Sequence, residues 1–118
     1  MIYNLKSKIW LESDKKKIFG DGPLDILKRV EQTGSLRQAA AGIAMSYSQA
    51  WRLIKMIENN LGYHILQKKA GGTGGGYSNL TPQAAKLVSA YDSFRHEADR
   101  SLEELFEKHL LPVLTPEP

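Results

Sequence analysis

The 118-residue chain contains no cysteine. That rules out a disulfide scaffold, a thiolate metal site and a cysteine nucleophile, and it favours a reducing interior. No apolar run approaches the roughly 20 residues needed to cross a bilayer, so no membrane association is expected. The opening residues, MIYNLKSKIW, lack the apolar centre of a signal peptide, and a cytoplasmic location is the expectation. The three histidines, His64, His96 and His109, lack metal-ligand spacing, although His96 can share a helix face with Asp99 or Glu103. No Ser/His/Asp arrangement is suggested. Neither an enzyme nor a bound cofactor or metal is expected. Proline is scarce as well: three of the five fall in residues 112–118, which read as a loose tail.

What is present suits a single domain, with 42% apolar residues, enough for a core. The net charge of +3 is unevenly spread. Residues 1–80 hold 12 Lys and Arg against 6 Asp and Glu, a balance of +6; residues 81–118 hold 4 against 7, a balance of −3. A basic body with an acidic extension fits a polyanion-binding face beside a solvated or partner-facing helix. No internal repeat is evident.

Residues 2–12 and 16–19 read as a hairpin of β-forming runs around SDKKK. A first helix starts at Pro23, which suits a first helical position, and ends at Gly34. Ser35 with Gln38 has capping-box spacing and opens a short helix that ends at Gly42; Ser46 with Gln49 repeats the spacing and opens a third. About three residues then separate these two helices, the length of a helix-turn-helix turn. In the third helix, Tyr47 to about Asn60, Ala50, Leu53, Ile54, Ile57 and Leu61 share one sector. Ser48, Arg52, Lys55 and Asn59 share the opposite one. YHILQKK and YSNL read as strands, and Thr81 with Pro82 opens a last helix to about Leu110.

Between those strands lies KKAGGTGGG, with five glycines in six residues. A phosphate-binding loop would need a lysine and Ser/Thr at its end, running into a helix; here the lysines come first and a strand follows. An interdomain linker would not be flanked by two strand-like runs. A hairpin tip fits best. The order of three helices, hairpin and helix is the winged-helix arrangement, so the expected fold is mostly α with a small β component: a winged helix-turn-helix with an N-terminal β-hairpin and a long C-terminal dimerisation helix. The expected units are a winged helix-turn-helix domain at 1–80 (hairpin 2–19, helix-turn-helix 35–61, wing 63–80), a dimerisation helix at 81–111 and a tail at 112–118.

The stretch from TGSLRQAA through MSYSQAW and GGTGGG to LTPQAAKLV resembles the DNA-binding domain of molybdate-responsive (ModE-type) transcriptional regulators, relatives of the LysR-type winged helices. The resemblance spans residues 20–95. It implies a homodimer on palindromic double-stranded DNA, joined through the N-terminal elements and the last helix. Family members that sense molybdate do so with a second, β-rich domain after that helix. These 118 residues hold no such domain, so molybdate binding is not expected of them.

On this reading the third helix enters the major groove, and Arg52 is the first choice for guanine readout, with a phosphate contact as the alternative. Ser48 and Lys55 flank it. Ser46 is expected as a cap whose hydroxyl or nearby amides can also meet phosphate. Gln49 divides between its capping role and adenine readout. Tyr47 is as well suited to core as to DNA, and Trp51 is assigned to packing. Arg37, Lys68, Lys69 and Thr73 are placed on the DNA backbone, whereas Tyr77 reads as a strand residue. In the last helix Ala84, Leu87, Tyr91, Phe94, Ala98, Leu102 and Leu105 approximate a heptad seam, and those from Leu87 onward are the dimerisation residues. Two other readings stay open. A winged helix used for protein interaction would expose apolar residues where this chain has basic ones. A small oxyanion sensor would use the glycine-rich loop and be stabilised by sulfate or molybdate.

Overall fold

Capping and glycine chemistry set most element boundaries in the computed structural model, which describes residues 2–68 and 78–115. The order is β1 (Trp10–Ser13), β2 (Lys16–Gly20), α1 (Asp21–Thr33), α2 (Leu36–Ala41), α3 (Tyr47–Leu61), β3 (Leu66–Lys68), β4 (Ser78–Leu80), α4 (Pro82–His109) and the single turn α5 (Leu111–Leu114). The fold is mostly α, with two small antiparallel sheets, β1–β2 and β3–β4. Gly34 and Gly62 end α1 and α3 in the left-handed conformation, at φ 72° and 81°, where a side chain would be strained.

The core joins α1, α2, α3 and the first half of α4. Ile26, Leu27, Val30, Ala50, Ile54, Ile57, Ile65 and Ala84 are fully buried. Ala39 and Ala40 are nearly so, and their small side chains let α2 approach both α1 and α3. The core therefore crosses the expected boundary at residue 80: Ala84, Val88 and Tyr91 of α4 are buried with it.

Several boundaries differ from expectation. Residues 2–9 are not strand; β1 begins at Trp10. The five-residue β2 offers no further partner, and the arm lies along α4 and α5 instead. There the Tyr3 hydroxyl donates to the Leu114 carbonyl (3.3 Å), Arg95 donates to the Ser7 carbonyl and hydroxyl (2.9 Å each), and the Tyr91 hydroxyl donates to the Ile9 carbonyl (3.0 Å). Asp14 and Lys15 close the β1–β2 hairpin with φ of 50° and 66°, the sense that matches strand twist in a two-residue turn.

α1 starts at Asp21, two residues before Pro23. The Asp21 carboxylate accepts from the Ile9 amide (3.2 Å), the Tyr91 hydroxyl (3.3 Å) and Arg95 Nε (3.0 Å), which anchors the first turn. Pro23 sits inside that turn, where its missing N–H has no helical partner to lose. The capping box expected at Ser35 and Gln38 is half formed. The Ser35 hydroxyl accepts from the Gln38 amide, but the Thr33 hydroxyl occupies the Ser35 amide. Between the caps Gly42 and Ser46 the turn has its expected three residues, but its glycine is not the residue that bends it. Gly42 is right-handed at φ −66°, and Ala44 takes φ 53°.

The first wing strand begins at Leu66 rather than Tyr63. Tyr63 packs on the core, and burial raises its phenol pKa. At the base of the wing, the Thr81 amide donates to the Ile65 carbonyl (2.9 Å) and its hydroxyl to the His64 carbonyl (2.7 Å). The same hydroxyl caps α4 by accepting from the Ala84 amide. The expected glycine-rich tip lies outside the described residues. In the expected tail, α5 adds one helical turn after Leu110, with Pro112 in its first positions.

Candidate nucleic-acid interface

α3 has two faces because its apolar residues recur at helical spacing. Ala50, Ile54 and Ile57 are buried, and Leu53 and Leu61 are partly so; Ser48, Arg52, Lys55 and Asn59 are exposed. The helix start is rigidly defined. The Ser46 hydroxyl accepts from the Gln49 amide, and the Gln49 side chain accepts from the Ser46 amide, both at 3.1 Å. Ser46 is thus a cap and Gln49 completes the box, while both stay exposed.

The outer surface carries a row of two rings with a cation at each end. The Arg37 guanidinium of α2 lies 4.3 Å from the Tyr47 ring centroid. Tyr47 and Trp51 are 6.4 Å apart with a 59° tilt, and the Lys55 ammonium lies 4.9 Å from the Trp51 ring. Tyr47 also packs on the core. Trp51 does not take the packing role expected of it: it is 39% exposed and lies between Tyr47 and Lys55. One turn of helix separates Tyr47, Trp51 and Lys55, so the i, i+4, i+8 spacing carried the signal. What hid it was Trp51's place at the margin of the apolar sector, where periodicity cannot tell inside from outside.

Arg52 projects from the same face and, among the described residues, makes no ion pair. Lys55 pairs with Glu58 at 3.2 Å but remains 60% exposed. Such a pair contributes at most about 1 kcal/mol and leaves the ammonium available to another anion. Glu58 itself is nearly buried and links α3 to the wing. Burial pushes its carboxyl pKa up, but the Ile65 amide (2.9 Å), Lys55 and nearby His64 together outweigh that and hold it below the usual value. Lys68 is exposed at the end of β3. Lys69 and Thr73 lie outside the described residues.

The expected seam on α4 is divided. Tyr91 is a core residue: 5% exposed, edge-on to Phe19 at 5.2 Å, with its hydroxyl bonded to the arm. Burial and the neighbouring Asp21 carboxylate raise its pKa. Leu87, Ala98 and Leu102 are partly covered, and Phe94 and Leu105 are 49% and 51% exposed. Arg95, which the heptad pattern did not single out, ties α4 to Asp21 and the Ser7 backbone and pairs with Asp99 one turn along the same helix. His96 sits beside Asp92, one turn back, rather than with Asp99 or Glu103. Among the described residues no group of three or more His, Asp or Glu could hold a metal ion, and no helix is long and apolar enough to cross a membrane.

The model of the bacterial regulatory helix-turn-helix proteins of the lysR family matches residues 23–85. The chain is 33% identical over 101 residues to the DNA-binding transcriptional dual regulator ModE of Escherichia coli K12, covering 84% of this chain and 38% of that protein. It is 28% identical over 102 residues to the molybdenum transport protein ModE of Azotobacter vinelandii, covering 86% and 38%. The chain therefore spans well under half the length of these relatives. Among solved structures, the CbnR DNA-binding domain in its DNA complex superposes with a TM-score of 0.57 at 20% identity, over 72% of this chain and 92% of that one. The LysR family transcriptional regulator VV2_1132 gives 0.56 at 17%, over 75% and 28%. These two likenesses concern the fold.

Proposed function

Since the chain belongs to the lysR family of bacterial regulatory helix-turn-helix proteins, we propose that it is a sequence-specific, DNA-binding transcriptional regulator of the molybdate-regulator type. It acts in the cytoplasm as a homodimer on a palindromic operator. The observation behind this reading is the outer face of α3, where Arg52, without an ion pair among the described residues, and weakly paired Lys55 stand exposed on a helix whose other face is core. An α-helix fits the major groove, about 12 Å wide, and its first turns lie nearest the base edges. Arg52 reads guanine there, and Ser48 and Lys55 flank it. Arg37 and Lys68 meet phosphates on either side, as do Lys69 and Thr73. The exposed Phe94 and Leu105 of α4, with Leu87, Ala98 and Leu102, form the contact with a second copy. The reading is one of binding rather than catalysis, and it assigns no molybdate-holding residue to this chain.

A second reading has one observation in its favour. A groove of about 640 Å³ runs between the hairpin and the back of α3, lined by Trp10, Phe19, Leu53, Met56 and Ile57; it suits an apolar protein segment. One experiment separates the two readings. The purified chain is incubated with a pool of random duplexes and titrated from low to physiological salt. Contact with about eight phosphates per dimer gives a log–log slope near −7, together with enrichment of a palindrome. Absence of both enrichment and salt-sensitive binding would refute the regulator reading for this chain and favour protein docking.

A further inference from the structure

Resting on the DNA-binding reading, we propose that Trp51 is itself a specificity-determining residue. Its exposed indole makes apolar contact with thymine 5-methyl groups in the major groove. Three observations converge. The ring is 39% exposed although it stands in the second turn of α3, within the part of a recognition helix that approaches base edges. It is held in orientation from both sides, by Tyr47 at 6.4 Å and Lys55 at 4.9 Å. Tyr47 is in turn covered by Arg37. The row therefore joins α2 to α3 and limits the rotamers that Trp51 can adopt before DNA arrives. The row ends in a base on each side, Arg37 beyond Tyr47 and Lys55 beside Trp51, so the apolar surface is carried inside a cationic frame. A frame of that kind suits a ligand that is anionic outside and apolar at one point within.

The chemistry of the groove supplies that match. Phosphates line its edges, and the thymine methyl is the apolar group presented on its floor. An indole on the groove floor has no bidentate hydrogen-bonding pattern with which to compete with Arg52, so the two side chains read different base pairs. Arg52 takes the hydrogen-bonding edge of guanine and Trp51 takes the methyl.

The test uses the operator enriched by wild-type protein from random duplexes. Each thymine of the half-site is replaced in turn by uracil, which keeps its hydrogen bonds and lacks the methyl. At the contacted position wild type should lose about fourfold per half-site, and about fifteenfold when both half-sites are changed. Trp51→Ala should bind the parent operator more weakly and be indifferent to that replacement. A second readout does not depend on that variant folding: in Trp10→Phe, which leaves Trp51 as the single tryptophan, indole emission should change more on the operator than on random duplex. Equal responses of wild type and Trp51→Ala to every replacement, or no emission change on the operator, would overturn the proposal while leaving the regulator reading intact. Failure of wild type to enrich any duplex would overturn both.

Discussion

α3 and α4 are built on the same device, an apolar face turned inward, and they differ in what the other face offers. α3 shows Arg52, Lys55 and the Trp51 ring beside Ser48. The distal half of α4 shows Phe94 and Leu105 among Glu97, Asp99, Glu103, Glu104 and Glu107. A phosphate backbone attracts the first surface and repels the second. An apolar ridge edged with carboxylates has nothing to gain from DNA and much to gain from another protein helix. On the proposed reading, charge sorts two amphipathic helices of one small fold toward two kinds of partner.

The comparison also divides α4 internally, and the largest expected effect lies there. Tyr91→Ala removes a ring packed on Phe19 and Phe94 and a hydroxyl bonded to the arm and Asp21. It should cost about 3–5 kcal/mol in urea denaturation. A loss under about 1 kcal/mol would mean that α4 is not part of the core. Further along, Phe94→Glu with Leu105→Glu should leave the fold intact and weaken self-association by about 3 kcal/mol, the worth of losing such side chains from an interface. Sedimentation velocity at micromolar concentration reads this directly, and wild-type protein that runs only as monomer there would remove α4 as the dimer contact.

On α3 the effects should be smaller and selective. Arg52→Ala should lose about 1–3 kcal/mol on the enriched operator and relax one base pair. Equal loss on operator and random DNA would reassign it to phosphate. The smallest effect concerns the junction of α3 with the wing. Because Glu58 has a lowered carboxyl pKa when folded, its stabilising share is present above the unfolded carboxylate pKa. That share is lost as pH falls through the lower, folded value. Acid denaturation of Glu58→Gln should therefore show a shallower loss of stability in the acidic carboxylate range than wild type; identical slopes would show that the Ile65 and Lys55 contacts carry no linkage.

Local chemistry alone determined a large part of this protein. The caps at Ser46 and Thr81, the left-handed glycines at 34 and 62, and the two faces of α3 depend on residues within one or two turns of each other. Short-range rules suffice where both partners of an interaction are near in the chain. Other features needed the folded molecule. Residues 2–9 carry β-forming side chains, yet their backbone meets α4 some 80 residues away, and no pattern within the arm announces Arg95 or Tyr91 as its partners. Tyr91 lies in register with the expected dimer seam, but the approach of Phe19 made it core. Trp51 sat at a sector margin, where a few degrees of helix rotation separate burial from exposure. Only the packing of α2 and Tyr47 against that flank decided that its ring would face outward. Periodicity assigns a residue to a face, and tertiary contact decides what covers that face.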